Sequence, residues 1–341
     1  MKEYKWGLLG AGGIIRRWGR GAAQTDGCIL SKVASRTKEH AEKTAEELGI
    51  AAAESYEALV SDPEIEICYV AVPHPFHKEL AELAMNHGKH VLVEKPAAVT
   101  AADWDEMCRC AEKKGVFLME AVWTRFFPAF DTIRELFTPE KLGPLKAISA
   151  TCGGSYPDAM RGHRNLRADM AGGGLLDMGV YCLHLCDILF GSAPEEMKGY
   201  ASINTDENRF GVDEQAMFSA RYPGERLASM GCSVRTSMPT QAFLYGTNGY
   251  VEIQRFWSPT QLMVHTQAGW QSKTETLEIP VPQKEGLPPQ EGYGYEIAHV
   301  QECVEQGLQQ SPVIPWETSA RVLRLCDELR AQWGLKYPFE P

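Results

Sequence analysis

Two short stretches carry residues whose types and spacing suit proton chemistry. The first is VLVEKPAAV, residues 91–99, an apolar strand pattern closed by Glu94, Lys95 and Pro96. Lys95 places an ammonium at the strand's carboxyl end, and Pro96 fixes the turn through the one kind of peptide bond that accepts a cis form cheaply. The second is GGGLLDMGVYCLHLCDILFG, residues 172–191. Its length and spacing predict a helix from about 174 to 189. Leu175, Leu176, Met178, Val180, Leu183, Leu185, Ile188 and Leu189 cover most of the circumference, which predicts burial. Asp177, Tyr181 and His184 interrupt it at i, i+4 and i+7 and share a stripe roughly 60° wide at about 100° per residue. Buried polar groups are costly unless paired or used, and they cluster at functional sites. The competing reading is a solvated strand end for Glu94 and Lys95, and a satisfied structural network for the stripe.

A phenol with an ordinary pKa of about 10 exchanges protons near neutrality only if something favours its anion. An ammonium does so, which pairs Lys95 with Tyr181. Lys95 could equally bind a substrate oxygen or relay the proton. Asp177 is then the residue that orients a neighbouring substrate hydroxyl, and His184, a turn further on, is a supporting group.

The elements that must position these groups follow from hydrophobic patterning. Residues 4–9, 28–35, 65–72, 90–95 and VFLMEAV read as strands, separated by helical stretches. Strands alternating with helices predict a parallel sheet, which binds ligands outside the carboxyl ends of its strands. GAGGII follows the first strand, so Gly10, Gly12, Gly13 and Ile14 form a glycine turn into a helix start, suited to a pyrophosphate. Ile15 departs from the small residue that closes the usual dinucleotide fingerprint. The second strand ends in Ser35, Arg36, Thr37 and Lys38 with no acid, which favours the 2′-phosphate of NADP while leaving NAD possible. Pro73, His74 and His77 follow the third strand and are assigned to the nucleotide side. The spacing of the two histidines, without a carboxylate or thiol beside them, predicts no metal. With a nicotinamide present, the chemistry becomes oxidation of a carbinol: hydride leaves the carbon while the hydroxyl proton leaves to the protein.

The chain has 341 residues, 34 basic and 45 acidic, for a net charge of −11. That charge argues against nucleic acid or an anionic membrane as partner. The length predicts two domains, drawn at 1–123 and 124–341. Ten cysteines without a CxxC pair, and no apolar run of membrane-spanning length, lead to the expectation of a reduced, cytoplasmic setting. Beyond about residue 144, strand patterns and an Asn248-Gly249 turn predict a mostly antiparallel sheet with the 174–189 helix on one face. The other face is expected to meet a second subunit, making a homo-oligomer. The loop 155–174 offers Tyr156, Arg161, Arg164, Asn165 and Arg167 as contacts for polyol hydroxyls.

EKP at 94–96, the glycine turn, MEAVWTRFFPAF at 119–130 and GGGLLDMGVY at 172–181 together resemble the Gfo/Idh/MocA oxidoreductases. The likeness extends to the branch containing dimeric dihydrodiol dehydrogenase, xylose dehydrogenase and glucose–fructose oxidoreductase, in which a tyrosine stands where many relatives have histidine. The resemblance implies an NAD(P)-binding Rossmann domain followed by an α+β domain with a large open sheet. It implies catalytic roles for Lys95 and Tyr181, and places Glu94, Trp123 and Arg125 near cofactor or substrate. It points to sugars, polyols or trans-dihydrodiols as substrates. Two other readings share the fold: a hydrolase or eliminase that oxidises its substrate transiently on bound NAD(P), and a non-catalytic NAD(P)-sensing regulator.

Overall fold

The structure, a computed structural model, describes residues 2–160, 162–204, 211–268 and 271–340. The chain forms two compact units, residues 1–126 with 281–320 and residues 127–280 with 321–341.

The first unit is built on β1 (Tyr4–Leu9), α1 (Gly13–Ala23), β2 (Cys28–Ala34), α2 (Lys38–Leu48), β3 (Ala51–Ala52), α3 (Tyr56–Val60), β4 (Ile67–Val70), α4 (His77–Asn86), β5 (His90–Glu94), α5 (Ala101–Lys114) and β6 (Leu118–Ala121). The six strands pair in the order β3-β2-β1-β4-β5-β6, all parallel. Every residue of β4 and β6 is buried, as expected of strands covered on both faces. Gly49 and Gly115 end α2 and α5 in the left-handed region, and the Thr100 hydroxyl accepts from Asp103 N to start α5. The short elements β3 and α3 had no counterpart in the sequence reading, since two exposed alanines and a five-residue turn carry no periodic signal. The strand order reverses between β1 and β4, which defines the crevice where such sheets take their ligands.

The second unit begins with α6 (Ala129–Leu136) and β7 (Leu145–Gly153) and reaches α7 (Val180–Phe190). There follow β8 (Glu196–Ile203), β9 (Asp213–Tyr222), β10 (Arg226–Ser233), β11 (Gln241–Gly246), β12 (Gly249–Gln254), β13 (Gln261–Ala268) and β14 (Gln271–Glu278). Their order is β14-β13-β12-β11-β7-β10-β9-β8, antiparallel except where β10 pairs with β7. In β9, Ala216, Phe218, Ala220 and Tyr222 are buried while Met217, Ser219 and Arg221 are exposed, the period of two of a sheet with one covered face. Helix α7 lies on that face, with Cys182 Sγ 3.8 Å from the carbonyl oxygens of Ala150 in β7 and Gly231 in β10. The expected 174–189 helix is present with one change: Leu175–Gly179 is a wider π turn, and regular α geometry starts at Val180. Such turns are frequent at functional sites.

Two further differences from the sequence reading have physical causes. The run Ala168–Phe190 does reach membrane-spanning length and hydrophobicity, but it is mostly buried inside the protein and is accounted for as a core helix. Residues 281–320, placed by sequence in the second domain, fold with the first unit. There α8 (Tyr293–Glu305) sits beside α1, tied by Arg17 and Arg20 to Glu291 and by Gln301 Nε2 to the Asp26 carbonyl at 2.9 Å. Leu118 N donates to Gln309 O at 3.0 Å, and the Trp316 indole donates to Leu118 O at 2.9 Å. The final helix, α9 (Trp316–Trp333), contributes Arg321 to the second unit, where its Nε donates to Asp187 of α7 at 2.7 Å.

Candidate functional site

In the first unit the glycine turn sits at the strand-order reversal. Gly10 has φ +125, and a Cβ there would lie 2.2 Å from the Ala71 carbonyl oxygen just beyond β4, so only glycine fits. Gly12 precedes α1, and a Cβ on Gly12 or Gly13 would meet nothing within 4 Å. The turn therefore presents bare backbone and a helix start to open space, which fits a dinucleotide pyrophosphate. Ile15 is fully buried. Ser35 is half-buried and Arg36 exposed just past β2.

Beyond β4, His74 is buried, and the ring nitrogens of His77 lie 2.8 Å from the Val72 carbonyl and 2.9 Å from that of Pro96. His77 therefore braces the β4 exit against the Lys95–Pro96 turn, whose peptide bond is cis. Glu94 accepts from the Tyr69 hydroxyl, and its Oε2 accepts from Lys95 N at 3.2 Å. Glu120 of β6 accepts from Ala97 N at 2.9 Å and fixes the same turn from the other side. Lys95 is half-buried. Trp123 stacks on Tyr293 at 4.1 Å and 5°, with Arg125 following in the same short helical turn.

In the second unit Asp177, Tyr181 and His184 are buried, as the stripe predicted. Asp177 accepts from Asn165 Nδ2 at 2.6 Å and from Arg164 Nη2 at 3.1 Å. Asn165 Nδ2 also reaches the Tyr156 hydroxyl at 3.0 Å, and Tyr156 stacks on His163 at 4.4 Å. Burial pushes the Tyr156 phenol up, helped by the Asp177 charge, and burial with the Arg164 charge pushes His163 down. Three of the sequence-based contacts, Tyr156, Arg164 and Asn165, thus converge on Asp177. Arg167 pairs instead with Asp169, and Arg161 lies outside the described residues.

The sequence reading missed Tyr69, Tyr293 and Trp257, whose ring lies 5.4 Å from that of Tyr181. Tyr69 had a visible signal, a phenol within the apolar strand ICYV. Trp257 and Tyr293 had none, because each reaches its aromatic partner across a long sequence separation.

A doubly wound parallel unit with bare glycines at its switch point, joined in one chain to an open mixed sheet, defines a nicotinamide-dependent enzyme of the two-domain type. Residues 4–122 match the model of an oxidoreductase family with an NAD-binding Rossmann fold, and residues 130–252 match the GFO/IDH/MocA C-terminal domain. The chain belongs to the Gfo/Idh/MocA family and is an NAD(P)-dependent oxidoreductase. It is 34% identical to the trans-1,2-dihydrobenzene-1,2-diol dehydrogenase of Mus musculus, across 98% of both chains, and 34% identical to that of Bos taurus, again across 98% of both. Among solved structures it resembles an aldose-aldose oxidoreductase from Caulobacter crescentus complexed with glycerol, with TM-score 0.81, 24% identity and 97% of both chains covered. It also resembles a 3-ketoreductase from Actinomadura kijaniata in complex with NADP, with TM-score 0.81, 20% identity, and 97% of this chain and 98% of that one covered.

Proposed function

We propose that the protein transfers hydride between a nicotinamide cofactor, NADP by preference, and a carbinol carbon of a sugar, polyol or trans-dihydrodiol, with Lys95 and Tyr181 handling the proton. The observation that carries the reading is the buried acid–phenol–imidazole series on a largely apolar helix, its acid held by Arg164 and Asn165. A group placed so expensively calls for a use beyond packing. The names of the relatives support diols and sugars as the substrate class.

In this reading Gly10, Gly12, Gly13 and Ile14 hold the pyrophosphate, and Ser35 and Arg36 take the 2′-phosphate. Pro73 and His74 line the nucleotide, with His77 holding their turn in shape, and Glu94, Trp123 and Arg125 flank the nicotinamide end. A bound nicotinamide supplies the two-electron acceptor. Tyr181 takes the hydroxyl proton as the carbon gives up hydride, and the Lys95 ammonium stabilises the resulting phenolate and substrate oxygen. Asp177, already accepting two hydrogen bonds, is fixed to accept another from the adjacent hydroxyl of a diol or sugar. Tyr156, Arg161 and Asn165 complete the polar contacts and His184 supports the helix. The exposed sheet face with Tyr200, Met217, Leu227 and Tyr245 meets a second copy. The ten free cysteines suit the reduced cytoplasm.

The test is a screen of aldoses, inositols and trans-dihydrodiols with both cofactors, read as reduced nicotinamide released to solution. Turnover with NADP above NAD is expected. Absence of released reduced cofactor with every substrate would remove the dehydrogenase reading. Arg36→Asp is expected to move preference toward NAD; unchanged NADP affinity would refute the 2′-phosphate assignment.

A further inference from the structure

The glycine run ahead of the site helix has a packing partner that neither the family match nor the proposed mechanism uses. Gly172, Gly173 and Gly174 are wedged between three neighbours. A Cβ on Gly172 would lie 2.6 Å from the Arg164 carbonyl oxygen, and one on Gly174 would lie 3.3 Å from the Ser233 backbone. Gly173 has φ +116, and a Cβ there would fall 2.0 Å from Asp213 Oδ1. Asp213, the first residue of β9, is fully buried. Its Oδ2 accepts from Leu175 N at 2.6 Å, at the first residue of the wide turn that carries Asp177. Its Oδ1 has no hydrogen-bond partner among the described residues. The same glycines bond the loop that grips Asp177, with Gly173 N donating to Asn165 O at 2.9 Å, and the Tyr337 hydroxyl closes on the Gly172 carbonyl at 2.8 Å.

We infer that Asp213 is a positioning residue, fixing where the site helix begins and through that start the placement of Asp177 and Tyr181. Asp177 lies two residues beyond Leu175, and Tyr181 four beyond Asp177, so slack at the Leu175 amide reaches both. This rests on the oxidoreductase reading of Tyr181.

Among the described residues, the groups facing the carboxyl are Arg330 of α9, Tyr337 and Cys232 of β10. Arg330 is itself held by Asp327 at 3.0 Å and Glu340 at 2.8 Å. Burial pushes the Asp213 carboxyl up to about 7, against the downward pull of the Leu175, Asp213 and Gly174 amides and of Arg330. Since this lies above the ordinary value of 3.8, the folded protein binds the extra proton. The associated stability is fully present below that ordinary value and is lost as pH rises through about 7. Over the same range the carboxylate becomes the stronger acceptor for Leu175 N. Rising pH therefore exchanges some stability for a firmer helix start.

The test compares Asp213→Asn, which keeps shape and an acceptor without charge, with Asp213→Ala. The readouts are amide hydrogen exchange over 174–181 and the pH profile of kcat. In the alanine variant, exchange over 174–181 is expected to rise about tenfold, the scale for losing a hydrogen bond at a helix start, with 241–268 unchanged. Turnover is expected to fall with cofactor KM unchanged. In the asparagine variant, exchange matches the unsubstituted protein near pH 6 and exceeds it near pH 8, each compared at the same pH, and kcat loses its rise across about pH 7. Unchanged exchange over 174–181, or an equal rise over 241–268, would overturn the inference. If the alanine variant does not fold, identical exchange in the asparagine variant at both pH values would overturn it as well. Failure to find any turnover would remove the dehydrogenase reading but leave the exchange result standing alone.

Discussion

Asp177 is a buried carboxylate gripped by an amide and a guanidinium, and that grip distinguishes it from a surface acid that happens to lie near a cleft. Held so, it would offer the proposed substrate's hydroxyl an acceptor that needs no reorganisation. In the proposed mechanism the Tyr181 phenol and the Lys95 ammonium handle one proton, so Lys95→Ala and Tyr181→Phe should each lower kcat by about 100-fold or more, the scale of lost acid–base help. The double variant should be little worse than the poorer single one, because groups acting as a unit are not additive. A Tyr181→Phe variant with full activity would pass the proton role to Lys95 or His184. The sequence singles these residues out because each breaks a strong local pattern: Lys95 follows an apolar strand, and Asp177, Tyr181 and His184 interrupt a largely apolar helix. Trp257 breaks no pattern in its own segment and meets Tyr181 only through the fold of the second unit. No local rule reveals a contact across 76 residues.

The longer strands and helices of the first unit were readable because a sheet covered on both faces writes apolar runs into the sequence, with glycine marking the helix ends. The turn at Gly10 shows how little latitude such an element has. Gly10→Ala would force a side chain into a left-handed backbone and against the Ala71 carbonyl. Strain of this kind costs of order 1–3 kcal/mol before the clash is counted. The variant should melt earlier and bind NADP more weakly, read by thermal unfolding and fluorescence titration; unaltered affinity would remove the turn from the cofactor site. The π turn at Leu175–Gly179 was not legible, since a pattern of apolar residues cannot distinguish one extra residue per turn when nearly every face is buried. Strand β8 was missed for the opposite reason: Glu196, Lys198 and Gly199 dilute its alternation at an edge with little to bury.

At the scale of the molecule, the eight-stranded sheet leaves Tyr200 88%, Leu227 55% and Met217 52% exposed. An exposed apolar face of this kind calls for cover. Leu227→Glu together with Met217→Lys should lower the mass found by sedimentation while leaving the circular dichroism spectrum intact. A native protein that sediments as a monomer at micromolar concentration would refute the second-copy assignment. The sequence reading draws one boundary, at 123/124, and nothing local announces that 281–320 groups with residues 1–126. That return has a consequence for biosynthesis. The nascent nucleotide-binding half lacks α8 and the Gln309 carbonyl that accepts from Leu118 N until the whole of the intervening sheet has left the ribosome, so it cannot mature as an early, self-contained product. A gene fragment stopped near codon 126 would yield a half-enzyme with an uncovered flank along α1, recoverable only by supplying the missing segment in trans.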